Sequence, residues 1–259
     1  MPLELLDLRT RRNSGLLRRA YDELYLATFI DPDEQETFEQ YRSRLFDSQL
    51  LPPQPVTHFV VAGQNLESVE QAALLGFIIF EAYRESGCGL LTYIVTTSNS
   101  RGRGLGRRLI ETAQAALRAD MEDFHHRPDA LQAIFAEMHD PALVPSTQDV
   151  FDPALRLQIM RRFGAAQVPI HYVQPELTPG GERSRQLLLT VFPTAGEEPV
   201  AMLSQSVAAD FLHEFYRALG VADPNRDADF LAMLRDLDNA RHSSGRTALS
   251  GLPLVTITE

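Results

Sequence analysis

Hydrophobic and polar positions in the first part of the chain alternate at helical spacing. "NSGLLRRAYDELYLATFI" (13–30) opens on Asn and Ser and reads as an amphipathic helix. "DPDEQETFEQYRSRLF" (31–46) restarts with Asp and Pro, a helix-entry signal with acids in its first turn. After the break "LLPPQP" the period changes. "VTHFVVAG" (56–63), "ALLGFIIFEAY" (73–83) and "LLTYIVTT" (90–97) are β-branched and aromatic runs, predicting strands joined by short turns such as "RESGCG". "RRLIETAQAALRADMEDF" (107–124) returns to helical spacing, and "ALQAIFAEM" (130–138) predicts a buried strand. "DPALRLQIMRRFGA" (152–165) predicts a helix with an Asp-Pro entry and a Gly near its exit. "VPIHYVQPEL" (168–177) and "RQLLLTVFP" (185–193) predict two more strands. "EEPVAMLSQSVAADFLHEFYRALG" (197–220) and "DADFLAMLRDLDNA" (227–240) predict helices, and "LPLVTIT" forms a short apolar tail.

Strands joined by short turns pair antiparallel, whereas strands separated by a helix run parallel through a right-handed crossover. The order therefore predicts a mixed α/β (α+β) fold: a mostly antiparallel sheet flanked by helices, not a uniformly alternating parallel one.

Composition narrows the function classes. The 259 residues are 44% hydrophobic and 23% charged, as in an ordinary globular protein. No apolar run reaches the roughly 18 residues of a membrane span, and "MPLELLDLRTRRN" lacks the apolar centre of a signal peptide. The lone cysteine, Cys88, leaves no intrachain disulfide, and cytoplasm is the default setting. A formal net charge of −11 argues against nucleic acid as a partner and suits a cationic one. All 24 basic residues are arginine, which a GC-rich bacterial genome would explain.

Against that acidic background "SNSRGRGLGRRLI" (98–110) packs glycines and arginines in front of a helix. It fits neither the Rossmann spacing nor a Walker loop, which needs a lysine. What it does contain is Arg101-x-x-Gly104-x-Gly106 between a strand and a long helix. Helix N-termini carry unpaired N–H groups and partial positive charge, and glycine lets a phosphate approach them. A tight turn with close helix packing would account for the same glycines.

"LLTYIVTTSNSRGRGLGRRLIETAQAAL" resembles the central motif of the GNAT superfamily, the acyl-coenzyme-A-dependent N-acyltransferases, and the element order over residues 1–196 resembles the whole GNAT domain. The remainder, 197–259, would be a C-terminal helical extension with the short apolar tail. The resemblance implies acetyl-coenzyme A as cosubstrate. Its pyrophosphate would lie on the backbone of Gly102, Arg103, Gly104, Leu105, Gly106 and Arg107 near Arg101, and its pantetheine arm along Ile94, Val95 and Thr96. An N–H near Val95 or Thr96 would polarise the thioester carbonyl.

Acyl transfer requires an uncharged amine, so a base is expected. On a strand Glu137 and His139 share a face, and the resemblance puts them beside the thioester; both could instead be exposed residues at a strand end. Many family members carry a tyrosine acid four residues before a Gly-Phe-type helix exit. Here that place holds Met160, so the acid would be Tyr172 or Tyr93, or would not be required. Met160 also keeps open a silent acyl-coenzyme-A-binding protein on the same fold. His171 and Tyr172 could line the acceptor pocket or simply alternate along a strand. His125 and His126 read as a solvated turn, with metal binding as the alternative, and no Cys/His grouping has zinc spacing. The connection "DPALVPSTQDVF" (140–151) could cap the acceptor site or be inert. The apolar face of Phe211, Leu212, Phe215, Tyr216 and Leu219 must bury on its own domain or in a homodimer. The expected acceptor is a small-molecule amine or a peptide N-terminus, with no metal, nucleic acid or membrane.

Overall fold

Three long apolar runs form the centre of the sheet, because each is covered on both faces and needs no polar alternation. They are β2 (Val56–Gln64), β3 (Ala73–Tyr83) and β4 (Cys88–Thr96). The computed structural model describes residues 2–29, 35–46, 51–146, 151–177, 180–196, 198–243 and 252–256. With β1 (Glu4–Asp7), β5 (Ala133–His139), β6 (Ala166–Gln167) and β7 (Leu187–Phe192), they make a seven-stranded sheet in the order β1-β2-β3-β4-β5-β7-β6. Only β4 and β5 pair parallel; every other neighbour in this sheet is antiparallel.

Helix α4 (Leu105–His125) is the crossover between β4 and β5 and covers the first face together with α5 (Pro153–Arg161). Its Leu109, Ala113, Leu117 and Met121 recur at helical spacing and bury against Ile78, Phe80, Leu91 and Ile134. On the second face α1 (Ser14–Ala20) continues through a π-helical turn (Tyr21–Tyr25) into α2 (Leu26–Thr28) and, with α3 (Phe38–Phe46), covers Phe59, Phe77 and Ile79. The other half of that face lies under α6 (Gln205–Ala218) and α7 (Ala228–Ser243). There Phe211, Phe215, Tyr216, Phe230 and Met233 pack on Leu90, Phe135, Leu189 and Val191. Cys88 is fully buried in this same cluster. The apolar face of α6 is thus filled by its own chain. Among the described residues no helix is long and apolar enough to cross a membrane.

Several expectations need correction. The helix expected from Asp31 begins only at Phe38; residues 35–37 are not helical, and Asp31 itself lies outside the described residues. The stronger start is Thr37-x-x-Gln40: Thr37 N–H donates to Gln40 Oε1 at 2.7 Å and Gln40 N–H to Thr37 Oγ1 at 3.3 Å, a reciprocal capping box. Residues 168–177 do not form a regular strand, since Pro169 and Pro175 interrupt the ladder; the regular pairing falls on Ala166–Gln167 instead. The helix expected from 197 begins at Gln205, after a short β8 (Met202–Leu203) that pairs with β9 (Leu252–Pro253) of the apolar tail. Strand β1 was not signalled by its four residues.

Candidate active site at the divergence of two strands

The parallel pairing of β4 and β5 stops at Leu91 and Ala136, although β4 runs on to Thr96 and β5 to His139. Two features separate them. Against β3 the register shifts between Ile79↔Tyr93 and Phe80↔Leu91, leaving Thr92 as the extra residue of a bulge. Strand β5 meanwhile stays paired with β7 through Glu137↔Leu189 and His139↔Leu187. A gap opens between the two parallel strands.

The ladder phase identifies the backbone groups that face this gap. Thr97 N–H donates to Leu75 O at 2.9 Å, so Val95 exchanges its bonds with Phe77, while Ile94 and Thr96 present their N–H and C=O to the open side. Of the two amides expected near the thioester, that of Thr96 faces the gap and that of Val95 faces β3.

At the end of β4 the chain makes a 3-10 turn (Ser98–Ser100) pinned by Ser100 Oγ, which donates to Leu75 O at 3.0 Å and Thr97 O at 2.8 Å. Gly102 and Gly104 follow in left-handed conformation, φ 72° and 76°, and a Cβ at either would meet nothing within 4 Å. Close packing therefore does not demand glycine here; the left-handed turn does, and it leaves the backbone bare and exposed. The first i→i−4 bond of α4 is Arg108 N–H to Gly104 O at 3.2 Å, so the amides ahead of it have no partner within the helix. Arg103, Arg107 and Arg108 are exposed around this opening, Leu105 is anchored in the core and Gly106 is half-buried. Arg101 lies over the Phe151 ring, 5.3 Å from its centroid. This bare, positively charged turn fits a diphosphate group.

On the second face of the sheet a cavity of about 400 Å³ opens beside the same gap. Glu81, Thr92, Tyr93, Glu137 and His139 line it from the strands, so the two expected base candidates do share one wall. Glu137 accepts from Tyr172 Oη at 2.5 Å and from Gln174 Nε2 at 2.8 Å. Burial pushes its pKa up to about 7, only partly offset by those two hydrogen bonds. Tyr172 is itself buried behind Glu137 and directs its hydroxyl to that carboxylate. Tyr93 stands on β4 at the cavity wall, and burial holds its phenol well above the usual range, so it keeps its proton. His171 is turned to solvent and bonds Asp236 through Nδ1 at 2.8 Å. Met160 packs into the first-face core, on the side of α4.

A second carboxylate was missed in the sequence. Glu81 accepts from Arg44 Nη1 at 3.0 Å, Tyr83 Oη at 2.9 Å and Thr57 Oγ1 at 3.3 Å; Arg44 also pairs with Glu36. Burial pushes Glu81 up against the pull of Arg44. Its signal was an acid inside the apolar run "FIIFEAY". Among the described residues no His/Cys/Asp/Glu group could hold a metal ion, and His125 bonds the Arg84 carbonyl at 2.8 Å. Of the connection 140–151, residues 147–150 lie outside the described residues; Val144 is buried.

Residues 18–134 match the model of the acetyltransferase (GNAT) family. That stretch, somewhat under half of the chain, is similar to a GNAT domain. No curated protein matches it in sequence. Solved structures resemble it at low identity. PaiA N-acetyltransferase from Thermoplasma acidophilum, in complex with coenzyme A, shows 12% identity, TM-score 0.46, and coverage of 74% of this chain and 99% of that one. Ard1 from Thermoplasma volcanium shows 10% identity, TM-score 0.45 and coverage of 74% and 97%. An IAA acetyltransferase from Bacillus cereus shows 10%, 0.41, and 74% and 99%. The GNAT match runs from α1 through the glycine turn and ends inside β5, just before Glu137.

Proposed function

We propose that this GNAT-like protein transfers an acetyl or other short acyl group from acetyl-coenzyme A to an amine held in the second-face cavity. The single observation that carries this reading is Glu137, a carboxylate with a pKa raised to about 7, on β5 just beyond the point where β4 leaves it. A base poised near neutrality can take the proton of a bound ammonium and is still ionised in about half of the molecules at pH 7.

The cosubstrate supplies the activated thioester. The amides from Gly102 to Arg107 would hold its diphosphate, with Arg101 and Arg103 adding charge, and the gap-facing edge of Ile94 and Thr96 would pair with the pantetheine arm. The Thr96 N–H is suited to polarise the acyl carbonyl. Glu137 takes the amine proton, Tyr172 and Gln174 hold Glu137 in place, and His139 on the same wall is the second candidate for that role. Tyr93 keeps its proton beside the gap, where its hydroxyl is suited to donate a hydrogen bond to the departing thiolate, while the raised phenol makes it a poor acid for full proton transfer. Small-molecule amines and peptide N-termini are the acceptor classes, in keeping with the acidic chain and the carboxylates of the cavity. A cytoplasmic setting belongs to the same reading.

The test is thiol release from acetyl-coenzyme A over a panel of small amines and peptide N-termini, alongside titration calorimetry with coenzyme A. Amine-dependent release supports the reading. Tight binding with no release on any amine would overturn it.

A further inference from the structure

Between β6 and β7, the described residues 168–177 and 180–186 form two limbs beside the acceptor cavity, together called the arm. Gln174 and Ser184 close it by a pair of backbone bonds, Gln174 N–H to Ser184 O at 2.9 Å and Ser184 N–H to Gln174 O at 3.1 Å. Gln174, Leu177, Arg183 and Arg185 contribute to the cavity wall, and Gln174 also reaches the Glu137 carboxylate. The arm has almost no regular ladder of its own, so something else must fix it.

What fixes it comes from beyond residue 197. At the arm's entry, Asp236 of α7 accepts from the His171 N–H at 2.9 Å, and the Tyr216 hydroxyl of α6 donates to Val173 O at 2.6 Å. At its exit, Arg183 donates to both oxygens of Asp227, at 2.9 and 2.6 Å, and to Asp229 at 2.8 Å, while Arg185 donates to Asp229 at 2.8 and 3.0 Å. Asp227 simultaneously caps α7, accepting from the Phe230 N–H at 3.1 Å. Its side chain is only 12% exposed, so this is a partly desolvated two-pronged pair and not a loose surface contact.

We propose that the C-terminal extension completes the acceptor site: the Asp227 and Asp229 clamp on Arg183 and Arg185 sets the arm that shapes the cavity and orients Glu137 through Gln174. Arg183 is then a positioning residue, and the acceptor-class inference above is the reading on which its kinetic consequence rests. The division at residue 197 becomes one of chain order and not of function, because neither part encloses the acceptor alone.

Two variants test this without disturbing the cap of α7: Arg183→Gln and Asp229→Asn. With the best amine of the panel, each should raise the acceptor KM on the order of tenfold, the scale on which a misplaced wall residue acts. The KM for acetyl-coenzyme A should stay within about twofold, and Arg183→Lys should recover part of the loss. Equal rises in both KM values with a lowered melting temperature would mean general destabilisation and would overturn the proposal. A second readout needs no activity. Trypsin cleaves after arginine, and site-resolved mass spectrometry should show faster cutting after Arg183 and Arg185 in Asp229→Asn than in the wild type. Unchanged cutting there would overturn the clamp even in a protein that acetylates no tested amine, whereas absent turnover with faster cutting would count against the proposed function alone.

Discussion

Among the described residues Glu137 is held by a phenol and an amide and by no cation, so burial raises its pKa with no ion pair from them to pull it back. Its role has a direct kinetic signature. Glu137→Gln should lower turnover by roughly 10²- to 10⁴-fold while calorimetry shows unchanged coenzyme A affinity. The wild-type rate should fall as pH drops through about 7, because the base becomes protonated, and that acid limb should vanish in the variant. A limb so placed would ordinarily suggest histidine, so His139→Gln must be measured beside it; retention of the limb in Glu137→Gln and its loss in His139→Gln would transfer the role. His58 presents the opposite sign. It bridges Asp7 at 2.6 Å and Asp120 at 2.8 Å and stacks on Phe80. Burial pulls its pKa down, but the two carboxylates outweigh burial and lift it to about 9. The stability this bridge supplies is complete below the unfolded value of about 6.5 and is lost as pH rises through the folded value, at most about 3 kcal/mol in all. Urea unfolding of His58→Gln should therefore show a deficit at pH 6 that shrinks toward pH 10. Both His58 and Glu81 sit inside apolar strand runs. A charged group there was visible in the sequence, but its partners come from β1, α3 and α4 and were not.

At the scale of elements, the glycine turn was the most legible part of the molecule, since its spacing, its place after a strand and its helix entry are all local properties. Space around Gly104 is open, yet its φ of 76° makes any side chain strained. Gly104→Ala should cost about 1 kcal/mol of stability, with a modest effect on coenzyme A affinity. Gly104→Asp carries the same strain and adds a negative charge facing the diphosphate site, so it should weaken affinity at least tenfold beyond the alanine variant. Calorimetry on both, with melting temperatures, separates the two contributions; equal affinities would remove the diphosphate from this turn. The strand divergence was less legible. Its cause is a single-residue bulge at Thr92 together with the pairing of β5 to β7, and neither has a local signature. Helix starts show the same limit in miniature: Asp31-Pro32 and Thr37-x-x-Gln40 are both entry signals, and packing of Tyr41 and Leu45 under the sheet favours the second.

For the whole molecule, the mixed and mostly antiparallel pairing followed from the sequence of elements, whereas the edge strand β1, the place of β7 between β5 and β6 and the placement of the last two helices did not. Nothing in "FLHEFYRALG" says which apolar surface it will cover. It covers the half of the sheet around Leu90 and Phe135, and with it the lone cysteine. Burial pushes the Cys88 thiol up to about 12, so it is neither a nucleophile nor an easy target for a thiol reagent while α6 is seated. The chain consequently contains its own opening gauge. An aromatic disulfide reagent should register no rapid protein thiol in the native state and one equivalent in denaturant, so the colour developed during turnover belongs to released coenzyme A alone. Slow colour in the absence of substrate would then time the lifting of the C-terminal layer, molecule by molecule, with no label added and no residue changed.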